Sequence, residues 1–371
     1  MATNVRLGVF FTRFKPHILV IFAQVGYTFM YFFTDASFKH GMNPHVHITY
    51  RQIVASVGMF PLAYFFERKT RPRMTATLFL EIFVLSLLGM SLSLNMHFAS
   101  LTYSSPTFVT SSINTIACLT FIIAVMFRME IVDLKNPRGI AKVVGTLVSL
   151  GGVMIMTFYK GPIIKNLWHP FIHIQHKASN LHENWLKGSL LTVSSCISWA
   201  LSYIMQAFTL KRYPAQLSLS TWMNLVGAAQ SGMFAMLTQH KPGVWSVGLN
   251  IDLWCIIYSG IVCSALTVYI QLWCTEEKGP VFVTMFDPLC TVLVAALAYF
   301  VFGQKLYMGS IVGGGIVIMG LYMLLWGKEY DEFQLQNKSQ LESDSVHETF
   351  NQPDLQIGAS PPHNHVLQHQ P

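Results

Sequence analysis

The chain has 371 residues, of which 52% are hydrophobic and 11% charged, against about a quarter charged in a soluble protein. Its formal net charge is +7, yet the basic residues gather beside apolar stretches, with no aromatic-basic interleaving in a polar segment, which excludes a nucleic-acid footprint. Apolar stretches of roughly 18–22 residues, each able to cross a ~30 Å hydrocarbon core as one helix, exclude a soluble protein; the alternation that a membrane barrel strand needs is missing.

In chain order, the hydropathy pattern predicts spans at about 16–36, 46–66, 76–98, 104–127 and 140–159. The first apolar run follows Arg13 and Lys15, has full span length and lacks a small-residue cleavage site, so it is expected to stay as an anchor. A polar, His-rich segment, Lys160 to Lys187, then precedes spans at about 188–210, 217–238, 252–274, 280–302 and 309–326. After Trp326 the chain is rich in Gln, Ser, Asp, His and Pro, too polar to build a core. The expected organisation is a first five-helix repeat over 16–159, a non-cytosolic loop over 160–187, a second repeat over 188–326 and a disordered cytosolic tail over 327–371. Arg6, Arg13, Lys15, the cluster Arg68, Lys69, Arg71 and Arg73, and Arg128, Lys135, Arg138, Lys142, Lys211, Arg212 and Lys278 fall on one side of these spans. The positive-inside rule makes that side, and both termini, cytosolic.

Five spans per half, an odd number, force the halves into opposite orientations. Pro106-Thr107-Phe108-Val109-Thr110 in span 4 aligns with Pro280-Val281-Phe282-Val283-Thr284 in span 9, and Gly139 and Gly145 align with Gly309 and Gly315. The predicted fold is an all-α polytopic membrane protein of ten transmembrane helices in two inverted five-helix repeats. Secondary transporters built this way hold their solute at the repeat interface near the bilayer midplane. No phosphate-cradling Gly-rich loop with a following Lys-Ser/Thr is present, and no zincin or paired intramembrane aspartate motif, so neither a nucleotide motor nor an enzyme is expected. The six cysteines match no zinc or disulfide spacing and read as small packing residues; no metal or cofactor is implied.

Polar groups inside a span are costly unless they face protein or a water-filled cavity, so each is a candidate. Asp287, beside a proline that frees a backbone carbonyl, is suited to an ammonium group or a proton. Asn114, Thr110 and Thr284 are the matching polar positions of spans 4 and 9, and Phe286 adds an aromatic wall. Gln24 and Tyr27 in span 1, Asn95 in span 3, and Trp199 and Gln206 in span 6 complete the set. For each of these the competing reading is interhelical packing. Arg51 sits about five residues into span 2, where carboxylate binding competes with snorkelling and with a structural pair to Asp35. Gly145, Gly151, Gly152, Gly309 and Gly313 read as close helix contacts.

Several stretches resemble one plant family: Tyr50-Arg51-Gln52, Phe127-Arg128-Met129-Glu130, Tyr159-Lys160-Gly161-Pro162, Tyr213-Pro214, Lys278-Gly279-Pro280-Val281-Phe282-Val283, Phe286-Asp287-Pro288-Leu289 and Trp326-Gly327-Lys328. It is the nodulin-21-like, Walls-Are-Thin-related group of the EamA drug/metabolite transporters, many of them usually-multiple-acids-move-in-and-out (UMAMIT) carriers. The resemblance covers about residues 16–328. It implies a ten-helix facilitator moving amino acids in either direction, in the plasma membrane, with a vacuolar carrier of auxin or another small organic acid as the alternative. The partners implied are a small-molecule solute and the lipid bilayer; homo-oligomerisation is left open. The chain departs from the family pattern at Ala117, where a proline is usual, making span 4 less breakable. Gln304 stands where a glutamate is common, and Asp287 replaces an asparagine.

Overall fold

The computed structural model describes residues 2–103, 109, 112–130, 132, 135–159, 161–164, 185–239, 242–248, 250–302 and 306–328. Among them, besides the short 3-10 turn Pro242–Trp245, run ten helical stretches, labelled in chain order. The first half holds α1 (Ala2–Lys39), α2 (Pro44–Glu67), α3 (Ala76–Tyr103), α4 (Thr115–Met126) and α5 (Pro137–Phe158). The second holds α6 (Trp185–Arg212), α7 (Gln216–Thr238), α8 (Ile251–Lys278), α9 (Pro280–Phe302) and α10 (Met308–Lys328). A two-residue antiparallel ladder, Ile163–Ile164 with Leu306–Tyr307, ties the segment after α5 to the one before α10. The helix starts follow capping chemistry. Asn43 accepts from the His45 amide ahead of Pro44, Thr75 from Leu78, and Asn136 from Arg138 ahead of Pro137.

Seven of these helices, α1, α3, α5, α6, α8, α9 and α10, are long and apolar enough to cross a membrane, and the protein is a multi-pass membrane protein. α2 and α7 are long enough but more polar, because they pack on one another along stripes carrying Thr49, Gln52, Ser56, Ser220, Asn224 and Ser231, all buried. The described part of α4 is short, and Pro106, Thr110 and Ser111 lie outside the described residues. Phe65 and Phe66 stay 78% and 74% exposed, a large apolar surface that suits lipid rather than water.

The packing is symmetric between the halves. α1 packs on α8 and α9, as α6 packs on α3 and α4; α2 packs on α8, as α7 packs on α3. α2 and α7 meet antiparallel, with Gly227 against Gln52 and Gly232 against Thr49. α5 and α10 do the same, with Gly145 against Gly320 and Gly152 against Gly313; a Cβ on Gly152 would stand 2.8 Å from the Gly313 carbonyl. The third helix of each half carries a π-helical segment, Leu87–Leu92 in α3 and Ser259–Leu266 in α8. Each offers a carbonyl to an amide of a second helix: Gln52 donates to Met90 (3.0 Å) and Asn224 to Ser264 (2.9 Å). Such bulges loosen helical pairing and recur at functional sites.

Candidate functional site

α9 is broken. Its first piece, Pro280–Thr284, ends in tightened turns in which the Phe286 amide donates to Val283 and the Leu289 amide to Phe286. The second piece begins at Asp287 with Pro288 in its first turn, so the carboxylate sits at a helix N-terminus, where the backbone dipole favours it. Gln24 of α1 donates to Asp287 Oδ1 at 3.1 Å. One turn along the same contact, Thr28 Oγ1 lies 3.7 Å from Cys290 Sγ. Tyr27 and Tyr31, on the α1 face that carries Gln24, and Tyr203 of α6 lie within electrostatic reach of Asp287. Tyr27 and Asp287 are half-buried.

Of the residues singled out in the sequence, Gln24, Tyr27 and Asp287 are thus brought together. Asn114 is buried in a turn just before α4; its Oδ1 accepts from Thr291 of α9 at 3.0 Å, beside a cavity of about 10 Å³ with room for one water. The helix is interrupted at Asn114 although Ala117 replaces the usual proline. Gln206 accepts from Gln271 Nε2 at 2.6 Å. Trp199 packs, half-buried, against the main apolar cluster. Thr284 bonds back to its own helix, and Phe286 is buried against Phe282 and His17. Asn95 stands apart, bonded to Ser91 and, at 2.6 Å, to His45. Tyr31 and Tyr203 were missed by sequence reasoning. Their signal was available, since Tyr31 is one turn from Tyr27, and Tyr203 lies on the face that carries Trp199 and Gln206.

Arg51 does not pair with Asp35, which is taken by Lys39 at 2.6 Å. Its Nε donates to Ser264 Oγ in the π segment of α8 at 3.0 Å, and its Nη1 approaches Met30 Sδ at 3.7 Å.

The two ends of the bundle differ. At one, the 40–43 loop and the segment before α8 border an open cleft of about 510 Å³ lined by Phe38, His40, Asn43, Ser246 and Asp252, with Ser37 donating to Asp252 at 2.5 Å. The other is tied together by ion pairs and a helix cap. Glu130 takes Lys142 at 3.3 Å and Lys328 at 3.2 Å, and Lys328 also donates to the Lys278 carbonyl. Glu67 caps α7, whose own N-cap position is Ala215, by accepting from the Leu217 and Ser218 amides at 2.8 and 2.7 Å. Glu81 pairs with Arg212, and Gln216 with Glu276.

A many-helix membrane bundle of two matching halves, with a charged group in a broken helix between them, has the build of a membrane transporter. Its residues 14–158 and 186–326 each match the EamA-like transporter family. The chain is 40% identical over 325 residues to the WAT1-related protein At4g08300 of Arabidopsis thaliana, covering 86% of this chain and 87% of that one. It is 38% identical to At5g07050 of the same plant, over 86% and 82% of the two chains. The chain belongs to the EamA-like transporter family, among its WAT1-related plant members, and its family chemistry is transport rather than catalysis. A crystal structure 13% identical superposes with a TM-score of 0.66 over 84% of this chain and 98% of that one, a likeness of fold.

Proposed function

We propose that the chain is a ten-span facilitator whose two inverted halves carry small zwitterionic solutes, amino acids first, in either direction by alternating access. The observation that carries this reading is Asp287. It stands inside the bundle at the break in α9, and its hydrogen-bond partner is a neutral amide rather than a cation. An in-span carboxylate kept in that state is suited to a solute ammonium group or a proton. The antiparallel meetings of α2 with α7 and of α5 with α10 support the inverted arrangement. The open cleft at one end and the ion-paired ties at the other support a carrier caught facing one side. Cationic clustering at the tied end favours a cytosolic location for it, with the plasma membrane as the site of action.

A second reading, a carrier of auxin or another small organic acid in the plasma or vacuolar membrane, draws on the tyrosines around Asp287. A carboxylate among those rings disfavours a bare anion.

The test is uptake and efflux of labelled amino acids, with auxin alongside, in oocytes expressing the chain or its Asp287→Asn variant. Bidirectional amino-acid flux is expected, falling by a factor of about ten or more in the variant at equal surface expression, as loss of a charge-assisted contact would give. Auxin flux alone would move the substrate assignment to the second reading. Amino-acid flux indifferent to the substitution would remove Asp287 from the site.

A further inference from the structure

Among the described residues, two buried donors on α2 have no protein partner of matching chemistry. Arg51 is 7% exposed. A hydroxyl at 3.0 Å and a thioether at 3.7 Å are its side-chain partners, and among the described residues no carboxylate pairs with it. Five fixed N–H donors are poorly served by that pair, and a cation buried without a counter-ion is costly. One turn toward the open cleft, His47 is 1% exposed, and neither of its ring nitrogens has a hydrogen-bond partner. Because 47 and 51 are four residues apart, both side chains lie on one face of α2.

We propose that Arg51, supported by His47, binds the carboxylate of the solute, which is thereby held end to end between Arg51 and Asp287. The assignment rests on the amino-acid reading above. A planar anion with two acceptor oxygens matches the guanidinium fork, and a third contact satisfies the imidazole N–H. A phosphate ester, carrying more charge, would meet a single guanidinium at one end and the Asp287 carboxylate at the other.

Arg51 touches α1 at Met30 and Asp287 touches it at Gln24, levels roughly 9 Å apart along the helix. Tyr27 and Tyr31 lie within electrostatic reach of both charges, as side chains flanking a solute that bridges them would. An amine lacking a carboxylate, or an acid lacking an amine, fills one end only.

The experiment measures KM and maximal flux for a labelled amino acid and for its α-carboxamide, in wild type, Arg51→Gln, Arg51→Lys and His47→Ala, each normalised to surface protein. Wild type is expected to prefer the free acid. Arg51→Gln is expected to raise KM for the acid about ten- to a hundred-fold and to erase the preference over the amide, a change in selectivity that a purely structural role would not cause. Should Arg51→Gln not reach the surface, Arg51→Lys carries the test, since it keeps a cation but loses the fork; its KM is expected to rise about five-fold or more. Unchanged KM and unchanged acid-over-amide preference in the surface-expressed Arg51 variants overturn the assignment while leaving amino-acid transport standing. A wild type that moves no amino acid overturns both.

Discussion

At the tied end of the bundle, Glu130 receives two lysine ammonium groups, at 3.3 and 3.2 Å, and all three residues are at least nine-tenths buried. Between the ends, Asp287 has an amide for a partner, and Arg51 a hydroxyl and a thioether. Both regions place charge where water is scarce, and they deal with it in opposite ways. The first closes its own circuit, joining the start of α5, the end of α10 and the segment after α4, with the α8 C-terminus reached through the Lys278 carbonyl. Among the described residues, the second gives each charge neutral partners only. Charges satisfied by protein read as structure; charges that only a further ion could satisfy read as a place for one.

The largest effect that would sharpen this contrast is Glu130→Gln. It leaves Lys142, which is 0% exposed, and Lys328 without their shared counter-ion. Breaking a buried pair in this way costs about 3–5 kcal/mol, so the detergent-solubilised variant should melt well below wild type. Asp287→Asn, which removes a charge that no cation among the described residues shares, should melt within about 1 kcal/mol of wild type while losing flux. The reverse pattern, a stable Glu130→Gln beside an unstable Asp287→Asn, would break the comparison.

Much of the framework was legible in the sequence because membrane spans are written in long apolar runs. The duplication stands, since each half matches the family, but the aligned glycines do not share one packing role: Gly145 meets α10, whereas Gly315 faces open space. Gly145 and Gly152 do meet α10 within backbone distance, but Gly151, read as another close contact, faces open space. Adjacent glycines point to different faces, and composition does not say which. The π segments left no signal, since one extra residue in a turn does not disturb an apolar run. Of the candidate site, Gln24, Tyr27 and Asp287, which the structure brings together, were legible as in-span polar groups. Yet the same rule picked Gln206 and Asn95, whose partners on α8 and α2 could not be seen from one helix. Glu130 was noticed only as part of a motif. Its burial depends on Lys142 and Lys328, which are distant in the chain and look like ordinary flanking cations. Thr110 and Gln304 lie outside the described residues.

An intermediate case is Glu67, whose partners are backbone amides rather than cations. It substitutes for the cap that Ala215 cannot supply, tying the end of α2 to the start of α7 across the halves. Glu67→Gln keeps one acceptor but loses the charge facing the helix dipole, a loss of about 1–2 kcal/mol. The melting shift should therefore fall between those of Glu130→Gln and Asp287→Asn. A shift as large as that of Glu130→Gln would mean that the cap, not the ion cluster, holds that end together.

The smallest effect belongs to the ion pair that the sequence had offered to Arg51. Lys39 and Asp35 are joined at 2.6 Å one helical turn apart, but their side chains are 38% and 48% exposed. Exposed pairs of this spacing contribute about 0.3–0.5 kcal/mol, and salt screens them. Lys39→Ala should leave melting and flux unchanged within error, because Asp35 stays hydrated and does not need a second cation. This variant also tests Arg51. If freeing Asp35 allowed it to reach the guanidinium, Arg51 would acquire a protein counter-ion, and KM for a carboxylate-bearing solute would rise. An unchanged KM would mean that the fold keeps the two groups apart even when Asp35 is unpaired, as expected for a buried cation whose partner arrives from outside.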